Sequence, residues 1–170
     1  ATTGIALNLT TVKSVSAGNN HSVALFDDGS VVAWGANTNS ESTVPSDLGS
    51  VKEVVSSTGI SPLSGNFAVL DDGSVRYWGW GAAGAIMKPP TTLNDPVSIS
   101  AGPLHALAVN PDGTITAWGS SSLGKLNVPA FSGKATMVSA GGSHSIAVLE
   151  DGNVIAWGKN SNGQINVPQS

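Results

Sequence analysis

The chain has 170 residues, with 7 Lys plus Arg against 11 Asp plus Glu and a formal charge of -4, so no broad basic surface exists to neutralise phosphates and nucleic acid is not expected as a partner. Charged residues make up 11% of it, the 40% hydrophobic residues are scattered, and no apolar run approaches the ~20 residues of a membrane-spanning helix, so no membrane insertion is expected. With no Cys, disulfides, thiolate metal sites and cysteine nucleophiles are excluded.

Gly and Pro are abundant, and the residues between them are Val, Ala, Ser and Thr rather than Leu, Glu and Lys, a mixture that favours strands and turns. Four copies of one pattern follow in order. The first runs through Val15-Ser16-Ala17-Gly18, then His21-Ser22-Val23-Ala24-Leu25, then Asp28-Gly29, then Ser30-Val31-Val32-Ala33-Trp34-Gly35, and reaches Pro45. Trp78, Trp118 and Trp157 mark the later copies, each followed by Gly and, eleven residues on, by Pro89, Pro129 and Pro168. The spacing predicts one propeller domain over 1–170, with repeats at about 12–45, 51–89, 96–129 and 135–168.

Within each copy three short strands are expected. Asp28-Gly29, Asp72-Gly73, Asp112-Gly113 and Asp151-Gly152 supply the positive φ that a tight hairpin needs between strands two and three. Asn127 to Pro129 and Asn166 to Pro168 are expected to add a short outer strand, where Pro is tolerated at an edge. No helix is expected. In strand two, Val23 and Leu25, Phe67 and Val69, Leu107 and Val109, and Ile146 and Val148 share one face, while the residue between them is always Ala. A large-residue face stacked on a small-residue face of the next sheet makes a β-propeller: an all-β fold of four blades of three to four strands per chain. Unclosed terminal blades expose apolar faces and strand edges, so completion by dimerisation into an eight-bladed ring is expected, with a closed four-bladed monomer as the rival.

The pattern Val-Ser-Ala-Gly-x-x-His-Ser-x-Ala-Leu/Val-x-x-Asp-Gly-x-Val-x-Ala-Trp-Gly-x-Asn-x-x-Gly-Gln resembles the regulator of chromosome condensation repeat, and Val138 to Gln164 fits it almost completely. The short unit with Ala-Trp-Gly and a closing Val-Pro is most similar to the secreted bacterial beta-lactamase inhibitor protein II branch. Copy two departs from it: Ser56-Ser57 replaces Ala-Gly, Gly65 replaces His, and an insertion lies between Ser57 and Ser64, so that blade is expected to be modified at one rim.

His21, His105 and His144 recur at one repeat position, and a structural role between blades accounts for them better than zinc, which would need residues of different blades to converge. The Asp-Gly pairs lack the spacing of a calcium loop and are hairpin turns, so no metal and no cofactor is expected. Gly79-Trp80-Gly81-Ala82-Ala83-Gly84 matches the dinucleotide fingerprint in letters only, because Pro89-Pro90 follows and no βαβ unit surrounds it. No catalytic motif is found, and a non-enzymatic binding role is expected. Trp34, Trp78, Trp118 and Trp157 end their strands, so a ring of indoles at one mouth is expected, with Trp80 exposed outside the repeat. Beside them stand neutral loops carrying Asn37, Asn39, Asn160 and Asn162. Indole faces with amides suit neutral glycans, the first expectation. The alternative, which the inhibitor branch implies, is that the same aromatics contact a protein; nucleotide exchange on a small GTPase, as in the nuclear members, comes third and matches no residues here. Asn8-Leu9-Thr10 and Asn20-His21-Ser22 are N-glycosylation sequons, and low charge with a start at Ala1 rather than Met fits a processed, extracellular protein.

Overall fold

The computed structural model describes residues 11–59, 63–81 and 84–168. The Asn8 sequon and the middle of the copy-two insertion lie outside the described residues. Four three-stranded antiparallel sheets are formed, each a meander in chain order: β1 (Val12–Ala17), β2 (His21–Phe26) and β3 (Val31–Gly35); β4 (Val51–Ser56), β5 (Gly65–Leu70) and β6 (Val75–Gly79); β7 (Ser98–Ala101), β8 (His105–Val109) and β9 (Ile115–Gly119); β10 (Ala135–Ala140), β11 (His144–Leu149) and β12 (Val154–Gly158).

The expected hairpins form by a specific route. Gly29 donates its N–H to the Phe26 carbonyl (3.0 Å) and takes φ 80°, closing a three-residue loop between β2 and β3. Asp28 Oδ1 accepts the N–H (2.9 Å) and the hydroxyl (2.6 Å) of Ser30, which locks the turn. Asp72 with Ser74 and Asp112 with Thr114 repeat it.

Two expectations are corrected. The Asn-Val-Pro segments are not strands, because the Val128 N–H turns back to the Leu126 carbonyl (2.9 Å) and that of Val167 to Ile165 (3.0 Å), consuming the donors a ladder would need. The blades are therefore three-stranded. One turn of α-helix, α1 (Gly84–Met87), and a 3-10 turn at Ser122–Gly124 also form; α1 stops before Lys88-Pro89, since proline has no N–H to continue it.

The sheets stack as the alternation requires. Val23 and Leu25 of the first blade pack on Val54 and Ala68 of the second. Phe67 and Val69 of the second pack on Ile99 and Ala108 of the third, and Leu107 and Val109 of the third on Val138 and Ala147 of the fourth. Each such buried side chain is worth about 1.5–3 kcal/mol. Strand packing runs from blade one to two, two to three and three to four, with none comparable from four back to one among the described residues.

Candidate functional site

The repeat tryptophans join blades. Trp78 Nε1 donates to the Glu41 carbonyl (3.1 Å), Trp118 Nε1 to the Met87 carbonyl (2.9 Å) and Trp157 Nε1 to the Lys125 carbonyl (2.9 Å). In each case the acceptor lies in the loop leaving the preceding blade. These rings are 7%, 6% and 5% exposed, so they offer no stacking face to a ligand; Trp34 alone among the five tryptophans is open, at 42%. The Gly that follows each Trp is required: at Gly35, φ is 104° and a Cβ would meet the Asn20 carbonyl and the His21 backbone.

Trp80 corrects the expectation of exposure, for it is fully buried. It fills the space left in blade two by the missing histidine, where a Cβ on Gly65 would collide with its indole. Its ring sits 4.8 Å from that of Phe67, which also meets Trp118 edge-on at 5.4 Å.

The asparagine loops are organised by their own hydrogen bonds. Asn37 Nδ2 donates to Thr43 Oγ1 (2.9 Å) and its Oδ1 accepts from the Ser42 N–H (3.0 Å). Asn160 repeats this with Asn166 Oδ1 (2.9 Å) and the Ile165 N–H (3.3 Å). The Asn39 N–H donates to Glu41 Oε2 (2.6 Å) and the Asn162 N–H to Gln164 Oε1 (2.8 Å). Both amides of the first pair are thus committed to turn chemistry, and Glu41 is fully buried, its other oxygen accepting from Ser64 Oγ (3.3 Å).

His21 and His105 also bridge blades, and their partners are side chains that sequence reasoning missed. His21 Nε2 bonds Asn66 Oδ1 (2.8 Å) and His105 Nε2 bonds Ser145 Oγ (3.0 Å). Asn66 Nδ2 and Ser145 Oγ in turn donate to the Glu41 carbonyl (2.8 Å) and the Lys125 carbonyl (3.0 Å), so each junction carbonyl takes both an indole and a polar side chain. Because the Ser145 hydroxyl is spent on Lys125, His105 Nε2 carries the proton. Burial, with the Lys125 charge second, pushes the His105 imidazole down to about 4. A signal for these pairs was present: strand two reads Asn66 and Ser145 after a histidine blade, but Ala106 after Gly65. Gly18, Gly102 and Gly141 leave room for the imidazole of their own blade, and Ser57 replaces that glycine in the one blade without histidine, its hydroxyl donating to the Gly102 carbonyl (2.9 Å).

A groove of about 850 Å³ runs along β6, the edge strand of blade two, and is walled on the far side by the segment after α1; Arg76, Tyr77, Gly79, Lys88, Pro90 and Thr91 line it. Arg76 is held from below by Asp47 Oδ2 (3.0 Å). Among the described residues no three His, Asp or Glu side chains converge on a metal site, and no helix is long and apolar enough to cross a membrane.

The regulator of chromosome condensation (RCC1) repeat model matches residues 12–41, 97–125 and 137–164, half of the chain. The chain belongs to the RCC1 repeat family. Blade two, with Gly65, Ser57 and Trp80 in place of the usual set, is the copy the match omits. Protein pim1 of Schizosaccharomyces pombe is 28% identical to this RCC1-repeat chain over 113 residues, 65% of the chain and 17% of pim1. Prp20p of Saccharomyces cerevisiae, whose structure is described with its binding properties to Gsp1p and histones, superposes with TM-score 0.75 at 19% identity, covering 94% of this chain and 48% of its own. Human WBSCR16 superposes with TM-score 0.67 at 23% identity, covering 86% and 47%. The chain thus spans about half the length of these solved structures.

Proposed function

We propose that the chain is a non-catalytic propeller that binds a protein, taking an extended segment of its partner into the groove along β6. One observation carries this: β6 is an edge strand with a formed groove of about 850 Å³ beside it. An edge strand binds an extended peptide through main-chain hydrogen bonds, while flanking side chains select the sequence. The burial of Trp78, Trp80, Trp118 and Trp157 weighs against the glycan reading, since sugar stacking needs open indole faces. The binding of Prp20p to Gsp1p and histones supports a protein partner for this fold.

The test is selection from a phage-displayed random-peptide library, with a glycan array alongside. Peptides recovered on the wild type are expected to lose at least tenfold in affinity for Thr91→Trp, which fills the groove from an exposed position without touching the core. Selective capture of neutral glycans, or peptides indifferent to Thr91→Trp, overturns the reading.

A further inference from the structure

Three repeat positions change together in blade two, and all three changes line the groove along β6. Where the third strand of the other blades reads Val32-Ala33, Thr116-Ala117 and Ile155-Ala156, β6 reads Arg76-Tyr77. Where the other copies place Val44, Val128 and Val167 just before the repeat proline, this copy places Lys88 before Pro89. Val44 and Val128 pack with Ala33 and Ala117 against the apolar clusters of their junctions, whereas Lys88 is exposed. Residues that close the other blades with apolar contact are thus exchanged here for two cations and a phenol around one opening.

The charge of the groove has one sign. Its lining includes Arg76 and Lys88 and no Asp or Glu, in a chain whose formal charge is -4. Among the described residues the ion pairs are Lys52 with Asp95 and Arg76 with Asp47, which leaves Lys88 without a carboxylate. Arg76 is balanced by Asp47 Oδ2 (3.0 Å), itself not part of the lining, so the surplus in the groove is that of one cation. One carboxylate matches that surplus, whereas a phosphoryl group would bring a charge of about −1.5 to −2. Within this sequence, the residues outside the described ones carry no Asp or Glu and supply no such group.

The backbone sets how that group arrives. The Leu70 N–H donates to the Ser74 carbonyl (2.9 Å) and the Trp80 N–H to the Ser64 carbonyl (2.6 Å). Bonded residues alternate along an antiparallel ladder, so Arg76 and Trp78 turn their main-chain groups to β5, and Val75, Tyr77 and Gly79 turn theirs to the open edge. Across the groove Pro89 and Pro90 have no N–H to offer, so an incoming strand pairs with β6. We propose that the groove selects an extended acidic peptide of a protein partner, its main chain pairing with Val75, Tyr77 and Gly79 and one Asp or Glu side chain reaching Lys88 with Arg76 beside it. This rests on the reading of the groove as a peptide site and adds the chemistry it selects.

The experiment takes phage-selected peptides that bind the wild type and fail on Thr91→Trp, and makes each one synthetically together with a version in which Asp and Glu are replaced by Asn and Gln. Fluorescence anisotropy then measures both versions on the wild type and on Lys88→Gln, an exposed change expected to leave far-UV circular dichroism as it is. The selected sequences are expected to carry Asp or Glu, and the amide version to bind the wild type about fivefold more weakly, the size of a solvent-exposed ion pair. On Lys88→Gln that difference is expected to vanish. The absence of any peptide sensitive to Thr91→Trp would remove the groove reading and this proposal with it. Peptides that depend on the groove but lack carboxylates, or whose amide versions bind equally well, overturn the acidic selection and leave the groove standing. An amide loss of the same size on Lys88→Gln overturns the assignment to Lys88, and a phosphoserine version that outbinds the carboxylate overturns the choice of anion.

Discussion

His105 gives the fold a pH dependence whose sign and size follow from its surroundings. Its side chain is fully buried between blades three and four, Nε2 donates to Ser145, and burial plus the Lys125 charge hold the ring down to about 4 from 6.5. In the unfolded chain the same ring titrates at its ordinary value. Above pH 6.5 both states are neutral and the full stability is present. As pH falls below that value the unfolded state takes up a proton that the folded state refuses until about pH 4. Stability is therefore lost on acidification, at up to about 1.4 kcal/mol per pH unit and roughly 3 kcal/mol in total. Against a typical total of about 5–15 kcal/mol that is easily measured. Urea midpoints at fixed protein concentration between pH 8 and pH 4 supply the curve, and His105→Gln, which keeps a donor for Ser145, supplies the reference. Subtracting the variant removes carboxylates such as Glu53, which burial pushes up and which therefore act in the opposite direction. Equal pH slopes for the two proteins would refute the argument.

Trp118→Phe keeps the ring but strands the Met87 carbonyl, and is expected to cost about 1–3 kcal/mol in urea unfolding. At Gly102 an added Cβ would collide with the Gly141 carbonyl and press on the His105 ring, so Gly102→Ala is expected to destabilise by about 1–3 kcal/mol, whereas Gly142→Ala, with nothing near the new methyl, is expected to change it by less than about 0.5 kcal/mol; parallel denaturation curves compare them. Carbon-detected NMR titration is expected to place Asp28, Asp72 and Asp112 below the ordinary 3.8, because the hydroxyl and N–H two residues on both donate to the ionised carboxylate.

The parts of the fold legible in the sequence are those in which the backbone or the pleat constrains residue identity. Asp-Gly must supply a positive φ, so the four hairpins announce themselves, and the alternation of Val23 and Leu25 around Ala24 states which face meets which. The junction bonds were hidden for a physical reason. The indole acceptor is a main-chain carbonyl, and Glu41, Met87 and Lys125 supply it equally well, so no side chain marks the place. The tryptophans looked like a recognition surface because a strand-terminal indole has the same spacing whether it packs inward or outward. Trp80 was misjudged because its position depends on an absence, the missing histidine at Gly65, and on an insertion with no counterpart in the other copies. The asparagine loops carried the signature of turns, and the turns account for Asn37 and Asn160.

The pairing of His21 and His105 with residues in the following blade means that a blade is not the interchangeable unit of this molecule; the seam between two blades is. Blade four carries both halves of a seam, His144 and Ser145, so tandem copies of it would satisfy one another. Blade two carries Gly65 and Asn66, so copies of it set side by side would leave every Asn66 without an imidazole, and the same would follow from inserting it after itself in the natural order. Duplications that cut the chain between β2 and β3 of successive blades carry whole strands two but divide seams, and only those that keep a donor blade with its acceptor preserve the bonds. Growth of such a propeller is thus constrained by what stands next to each new blade, and a plug such as Trp80 is what permits an exception to stand.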